Sequence, residues 1–345
     1  MTKRHVSCPK CKSLETKRNG RRMLVSIPVQ RFYCYKCRET FSIRHQSRSR
    51  ISFHGKVKLT RQHLEGRTSV RTLARHTKHS TRTVMQAIHT VTKQCVTAAW
   101  IAQTLQPKWS GYLALDGKTV RVWDWSAKHF HYSKAERRWL HRMTLLVALD
   151  LGTLDVPAHH LGDEETTFDL ILFLRTLRRL NYPLKGYVSD GNPDIEKAVK
   201  MVFGPGIPHQ LCVRHFLQNL RLKLKQQQIT EEAYRDACRQ ILIGRKPNFL
   251  RVPMNLFTYK RIPSLPRTNQ SCENLIRFFT LRLKTLGQFR SYQYAADYCN
   301  ALVLMRRFTP FTDRKDQPNG ISPLELAGCD IEKIDYLKIN QKSNR

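Results

Sequence analysis

The apolar positions change period along the chain, and each change marks a boundary. From residue 57 to residue 100 the period is helical. Val70, Leu73 and Ala74 predict a short helix and Thr77 to Ser80 a turn; Val84, Ala87, Ile88 and Val91 then form the apolar face of a second helix. Between residues 110 and 160 short apolar runs replace this period. Gly111 to Asp116 predicts a strand ending on its acid, Gly117 a turn, and Thr119 to Trp123 a second strand. Met143 to Leu149 predicts a third, with Asp155 to His160 continuing or pairing with it. Short strands joined by tight turns predict an antiparallel meander. Thr166 to Leu180 then reads as an amphipathic helix, apolar at Phe168, Ile171, Leu172, Leu174 and Leu177.

The stretch from Tyr187 to His215 is the densest in signals. A short apolar run ends on Asp190, and Gly191-Asn192-Pro193 turns the chain. Asn192 suits a helix N-cap and Pro193 a first helical position. Ile195, Ala198, Val199 and Val202 follow at helical spacing, Gly204-Pro205-Gly206 stops the helix, and Ile207 to Leu211 predicts a strand leading into Cys212-Val213-Arg214-His215. Helices are then predicted over Phe216–Gln227 and Ile229–Ile243, and a proline-rich loop over Pro247–Pro266. Thr268, Asn269 and Ser271 are N-cap candidates for a helix with Leu275, Ile276, Phe279, Leu283 and Leu286 on one face and Glu273 in its first turn. Tyr292 to Arg307 is a further helix, and an extended tail with a short last helix follows Phe308. The order βββαβαβ followed by helices predicts a mixed sheet with helices packed on it.

Charge narrows the function. Lys and Arg number 61 against 26 acids, a net charge of +35. Residues 1–60 alone hold 16 Lys/Arg, with Glu15 and Glu39 as their only acids. Such an excess predicts a polyanionic partner, nucleic acid first. No run approaches the roughly 18 apolar residues of a membrane span. The start, Met1-Thr2-Lys3-Arg4, has no apolar signal core, so the expected location is cytoplasmic.

Ten cysteines do not make a disulfide scaffold in this length. Four of them, Cys8, Cys11, Cys34 and Cys37, lie in two Cys-x-x-Cys pairs. Four thiolates are the tetrahedral set that zinc takes in structural sites. With short strands at Leu24–Pro28 and Gln30–Tyr33 between them, the pairs predict a zinc ribbon; the alternative is a redox pair of dithiols. Arg44 to Lys58 is a basic, Ser-rich linker that either tracks phosphates or is a solvated loop. The helix, turn and helix after it have helix-turn-helix spacing, with Ser80, Thr81, Arg82, Thr83 and Gln86 facing DNA; a plain helical hairpin is the alternative.

Three acids stand at suggestive places: Asp116 and Asp190 at strand ends and Glu273 in a helix first turn. Together they predict a site for two Mg²⁺ ions about 4 Å apart, which would clamp an in-line phosphoryl displacement. Each has a plainer role available: a turn residue before Gly117, an Asx-turn with Asn192-Pro193, and a first-turn acid paired with Arg277. Asp124, Asp150, Asp155, Asp163, Glu164 and Asp194 are rival candidates.

The order of these motifs resembles the DDE transposases of the Mutator type and related prokaryotic insertion sequences. The matching residues are Asp116 in LALDGK, Asp190 in VSDGN, Cys212 and His215 in CVRH, and Glu273 in TNQSCEN. The N-terminal ribbon and helix-turn-helix fit the same layout. The resemblance implies a multidomain α/β protein: a zinc ribbon (1–45), an all-α helix-turn-helix domain (46–100), an RNase H-like catalytic domain (101–310) with a helical insertion (216–267), and a tail (311–345). It implies Mg²⁺ or Mn²⁺ held by Asp116, Asp190 and Glu273, and nicking of the element's ends. Attack of the freed 3′-hydroxyl on target DNA follows. Double-stranded DNA is the implied partner, synapsis requires at least a homodimer, and the implied place is the prokaryotic nucleoid. Cys212 and His215 are accessory, and His209 and Cys238 are the other candidate zinc ligands. The alternatives are a DNA-binding regulator, a transposase descendant that no longer cuts, or an RNase H-like nuclease or resolvase that cuts without joining.

Overall fold

In the computed structural model the N-terminal segment forms a three-stranded antiparallel sheet in the order β1–β2–β3: β1 Thr16–Leu24, β2 Ile27–Cys34 and β3 Thr40–Ser42. The first strand starts earlier than the sequence pattern predicts. Leu24 pairs with Ile27, so the hairpin closes inside the expected Leu24–Pro28 strand. The register shifts between Arg18 and Arg21, where Gly20 has φ +67°, a conformation that glycine adopts without steric cost. The structure describes residues 6–24, 27–42, 51–122, 142–163, 166–226, 230–248, 250–286, 289, 291–312 and 319–338. Residues 44–50 of the basic linker, Trp123, Asp124, Glu164, Gln227 and Ile229 lie outside them, and the end of that linker from Phe53 on is helical rather than loop. The chain divides into two units, Met1–Ser52 and Phe53–Arg345.

The second unit begins with four helices, α1 Phe53–Leu64, α2 Val70–His76, α3 Thr81–Thr92 and α4 Ala98–Thr104. Ser69 and Ser80 cap α2 and α3, their hydroxyls each accepting at 3.1 Å from the amides of Thr72 and Thr83. Lys78 turns the chain between these two helices at φ +54°. Val84, Ala87, Ile88 and Val91 are buried, as their spacing predicts.

The central sheet has five strands in the order β6–β5–β4–β7–β8. They are β4 Tyr112–Arg121, β5 Arg142–Asp150, β6 Ala158–Gly162, β7 Gly186–Ser189 and β8 His209–Leu211. β4, β5 and β6 run antiparallel, and β7 and β8 join β4 in parallel. β4 is one unbroken strand. Gly117 makes no turn and pairs with Leu146, so Asp116 sits within the strand rather than at its end. The predicted order βββαβαβ is reached with two of the expected strands fused and Ala158–Gly162 as the third.

Helices α5 Thr167–Arg179 and α6 Pro193–Phe203 connect the parallel strands. Their buried faces, Leu170, Phe173, Leu174 and Leu177 with Ile195, Ala198, Val199 and Val202, pack on Leu113, Leu115, Leu146 and Ala148. Phe168 is 68% exposed instead of joining this core. After β8 come α7 Val213–Gln226 and α8 Glu231–Leu242; α7 starts three residues before the expected Phe216. The proline-rich stretch contains a 3-10 turn, Met254–Lys260, and packs with α7 and α8 around Val213, Leu220, Ala237, Ile241, Val252 and Leu256. The chain ends with α9 Gln270–Leu286, α10 Tyr292–Phe308 and the short α11 Pro323–Leu326. No helix among the described residues is long and apolar enough to cross a membrane.

Helix α10 is anchored by charge as well as by apolar packing. Its Arg307 is fully buried and donates from Nε and Nη2 to the two oxygens of buried Asp155, both at 2.7 Å. Trp109 Nε1 donates to the same carboxylate at 2.8 Å. Asp150, also buried, accepts from Ser110, Thr153 and Tyr182. Two rival acids thus belong to the framework of the sheet.

Candidate functional site

Asp190 directly follows β7, where Gly191 at φ +97° and the Asn192 cap turn the chain into α6. Both expectations for this turn hold: Asn192 Oδ1 accepts from the Asp194 amide at 3.0 Å, and Pro193 is the first helical residue. The Asn192 amide donates to Asp190 Oδ1 at 3.1 Å, so the Asx-turn exists and fixes the carboxylate. A Cβ at position 191 would lie 2.6 Å from Leu211 Cδ1, which leaves glycine as the residue that fits.

The sheet register aligns the acids. Ala114 pairs with Val188, and Ser189 with Leu211. Continuing each parallel register puts Asp116, Asp190 and Cys212 in one row across three neighbouring strands, about 4.8 Å apart per step. The Cys212 amide donates to Ser189 O at 2.8 Å, which keeps the pairing going past β8. By strand alternation Asp116 faces away from the α5–α6 core.

Helix α9 brings Glu273 to this row. Asn269, fully buried just ahead of α9, donates from Nδ2 to Leu115 O at 3.2 Å and to Asp116 Oδ2 at 3.4 Å. Its amide points at Cys212 Sγ, 3.3 Å away. Asn269 is thus the tie between β4, β8 and α9, with its side chain spent on the sheet. Sequence reading named it only as a cap candidate.

Glu273 does not pair with Arg277. Arg214 Nη1 donates to its Oε2 at 2.9 Å, and His215 Nε2 lies 3.5 Å from its Oε1. Arg214, absent from the predicted site, neutralises this acid; its place one residue before His215 was the available signal. Burial pushes the Cys212 thiol up more than any other single influence, but the hydrogen bond with the His215 side chain, joined by the His215 and Asn269 amides, holds it below the usual range. The same bond, against burial, holds His215 above its usual range, with Glu273 and Asp190 adding to it.

The three acids do not gather as one group at ligand distance. Among the described residues, two clusters are that tight: Cys8, Cys11, Cys34 and Cys37, and Cys212, His215 and Glu273. The other candidate zinc ligands are elsewhere. His209, pushed down to about 4 by burial, bonds Ser189 Oγ and the Asn255 amide at 2.9 Å each. Cys238 adjoins Tyr234. Asp194 accepts from Thr167, and Asp163 is exposed.

In the N-terminal unit, Cys8 and Cys37 stand 3.5 Å apart, as do Cys11 and Cys34. The two knuckles end alike, with Lys12 at φ +61° and Arg38 at φ +59° after the second cysteine of each. The Cys11 amide and, against burial, the Lys10 amide pull the Cys8 thiol down to about 7. Four thiols this close are compatible with a structural zinc site.

On α3, Ser80, Thr81, Arg82, Thr83 and Gln86 are all exposed. Ser80 and Thr83 bond each other's hydroxyls at 2.8 Å, which leaves Arg82 and Gln86 as the long polar side chains on that face. Arg71, Arg75, Lys78 and His79 line an adjoining concavity with Ala74 and Thr81. No protein-family model matches this sequence, and no curated protein shows significant similarity to it.

Proposed function

We propose that this chain is a DDE-type transposase of a prokaryotic insertion sequence, of the Mutator type or a relative. It binds the terminal inverted repeats of its element, cuts there, and joins the freed ends to target DNA in the nucleoid as at least a homodimer. The observation that carries this reading is the row of Asp116 and Asp190 on neighbouring parallel strands, with Glu273 led over it by Asn269. A five-stranded mixed sheet with packed helices is also the scaffold that an RNase H-like domain requires.

The donors fit a hard divalent cation. Carboxylate oxygens are what Mg²⁺ takes. Asn269 Oδ1, on the side chain that reaches Asp116, is buried and accepts no hydrogen bond among the described residues. Asp116, Asp190 and Glu273 would hold Mg²⁺ or Mn²⁺, which when bound supplies charge stabilisation for in-line phosphoryl displacement. The chain does the rest. The Asn192 amide and Asn269 aim the two aspartates, and Arg214 and His215 hold Glu273 while three like charges would otherwise repel. The positive excess draws in the phosphate backbone. Exposed α3, read as the recognition helix of a helix-turn-helix, supplies Arg82 and Gln86 for base edges. The four-cysteine unit, read as a zinc ribbon, adds a second DNA contact.

A second reading, a DNA-binding regulator or an inactive descendant, is favoured by one observation: the three acids do not meet as a group. The deciding experiment mixes full-length protein, Mg²⁺, an end-labelled fragment carrying the gene's own flanks, and a plasmid. A transposase nicks at a defined end and moves label into the plasmid. Retention without cutting gives the regulator, and cutting without joining gives the nuclease.

Two further outcomes are expected. Arg82→Ala weakens binding to the flanks by about 1–3 kcal/mol at fixed salt, the range for one base-reading side chain, and leaves the melting temperature unchanged because Arg82 is exposed. Fluorescence anisotropy against specific and random duplexes measures it. Equal loss on both would make Arg82 a phosphate contact. Stripping zinc with a strong chelator opens residues 6–42 to limited proteolysis, since so small a ribbon folds with its metal. The described residues of the second unit stay protected; loss of protection in both units would contradict a self-contained N-terminal unit.

A further inference from the structure

We propose that Cys212, His215 and Glu273 form a second site for a borderline divalent cation of the zinc class, distinct from the four-cysteine site. The sequence offers His209 and Cys238 as the other candidate ligands for the Cys-x-x-His pair, and both lie elsewhere. The structure supplies the third donor from a different element, the first turn of α9.

The ligand atoms of the three residues all lie within 4.8 Å of one another. The His215 Nε2 to Glu273 Oε1 separation, 3.5 Å, is informative. A direct hydrogen bond would stand at about 2.9 Å. Nitrogen and oxygen ligands at about 2.0–2.1 Å from one tetrahedral zinc stand about 3.4 Å apart. Glu273 Oε1 is buried and takes no hydrogen bond among the described residues, while Arg214 occupies only the other oxygen. Cys212 Sγ is fully buried, and the Asn269 amide aimed at it stabilises a thiolate.

Each donor is held by its element: Cys212 by the pairing that extends β8, His215 by the first turn of α7, and Glu273 by α9. A thiolate and an imidazole select zinc over Mg²⁺, which prefers oxygen. Three protein ligands leave a fourth position open to water or substrate, as in reactive rather than closed zinc sites. Asp190 is the next residue in the row beside Cys212.

The test is metal counting on full-length protein, which needs neither DNA nor cleavage, so it fails or succeeds independently of the transposase reading. Wild type purified with zinc present is expected to carry about two zinc ions per chain, one at each cluster. Cys212→Ser and His215→Asn each lower this to about one, with circular dichroism unchanged. A wild-type measurement guards against misfolded variants. On Co²⁺ titration, the four-thiolate site gives intense charge-transfer bands, and a second equivalent adds a weaker set from a single thiolate. A single equivalent in wild type by both methods, or two equivalents that persist in both folded variants, would overturn the proposal. Cys212 and His215 would then be an ion pair that positions Glu273.

Discussion

Asp190→Ala is expected to reduce metal-dependent cleavage of the flanking DNA by at least about a thousandfold while binding to that DNA stays within about twofold. A bound divalent ion contributes several kcal/mol of charge stabilisation to phosphoryl displacement, and about 4 kcal/mol is about a thousandfold. Asp190 is held in place by the Asn192 amide and the tight turn at Gly191. Removing it deletes the proposed ligand without disturbing the core, because Asp190 is only half-buried and Ser189 and Ile195 carry the packing on either side. Asp163→Ala, at an exposed position beyond β6, is the matched control and leaves both activities intact. Gel-resolved nicking under single-turnover conditions reads the difference. Equal cleavage by wild type and Asp190→Ala would remove Asp190 from the chemistry.

The largest stability effect is expected at the buried pair of Asp155 and Arg307. Asp155→Ala leaves a guanidinium that is fully buried with no counter-charge, a loss of roughly 3–5 kcal/mol. The Trp109 indole N–H loses its acceptor as well, and Arg307 Nη1 already lacks a partner among the described residues. The double replacement Asp155→Leu with Arg307→Met is expected to recover most of that loss, because desolvating two charges nearly cancels their attraction. Urea titration monitored by tryptophan fluorescence compares the three proteins. If the double variant is as unstable as the single one, the pair acts through shape and hydrogen bonding rather than through charge.

The parts of the fold read correctly from sequence share one property: their signals are local. Asn192 and Pro193 cap α6 because an amide acceptor and a fixed φ act within one turn. Each Cys-x-x-Cys knuckle is legible because its two-residue spacing is local, and the antiparallel hairpin between the knuckles brings them together. What was misread depends on partners far along the chain. Gly117 reads as a turn residue, yet pairing with Leu146 on β5 holds it in an extended strand. Phe168 reads as core, but α5 turns Phe173 inward instead. The plainer role open to Glu273, pairing with Arg277 on its own helix, gives way to Arg214 and His215, which α7 presents to it across the site. Asn269 was legible as a helix start but not as a tie to Asp116, because that contact spans 153 residues. Asp150 and Asp155 were rivals on sequence alone, and burial within hydrogen-bond networks removes them.

The same reasoning explains why the three acids stand apart. Arg214 with His215 keeps Glu273 on the α7 side. A divalent ion and DNA are expected to draw them together. Anomalous diffraction from crystals of the full-length protein with a DNA end and Mn²⁺ tests this most directly. The account predicts a manganese peak coordinated by carboxylate oxygens of both Asp116 and Asp190, with Glu273 on the same or an adjacent ion. A DNA-bound structure with no manganese between Asp116 and Asp190 would contradict it.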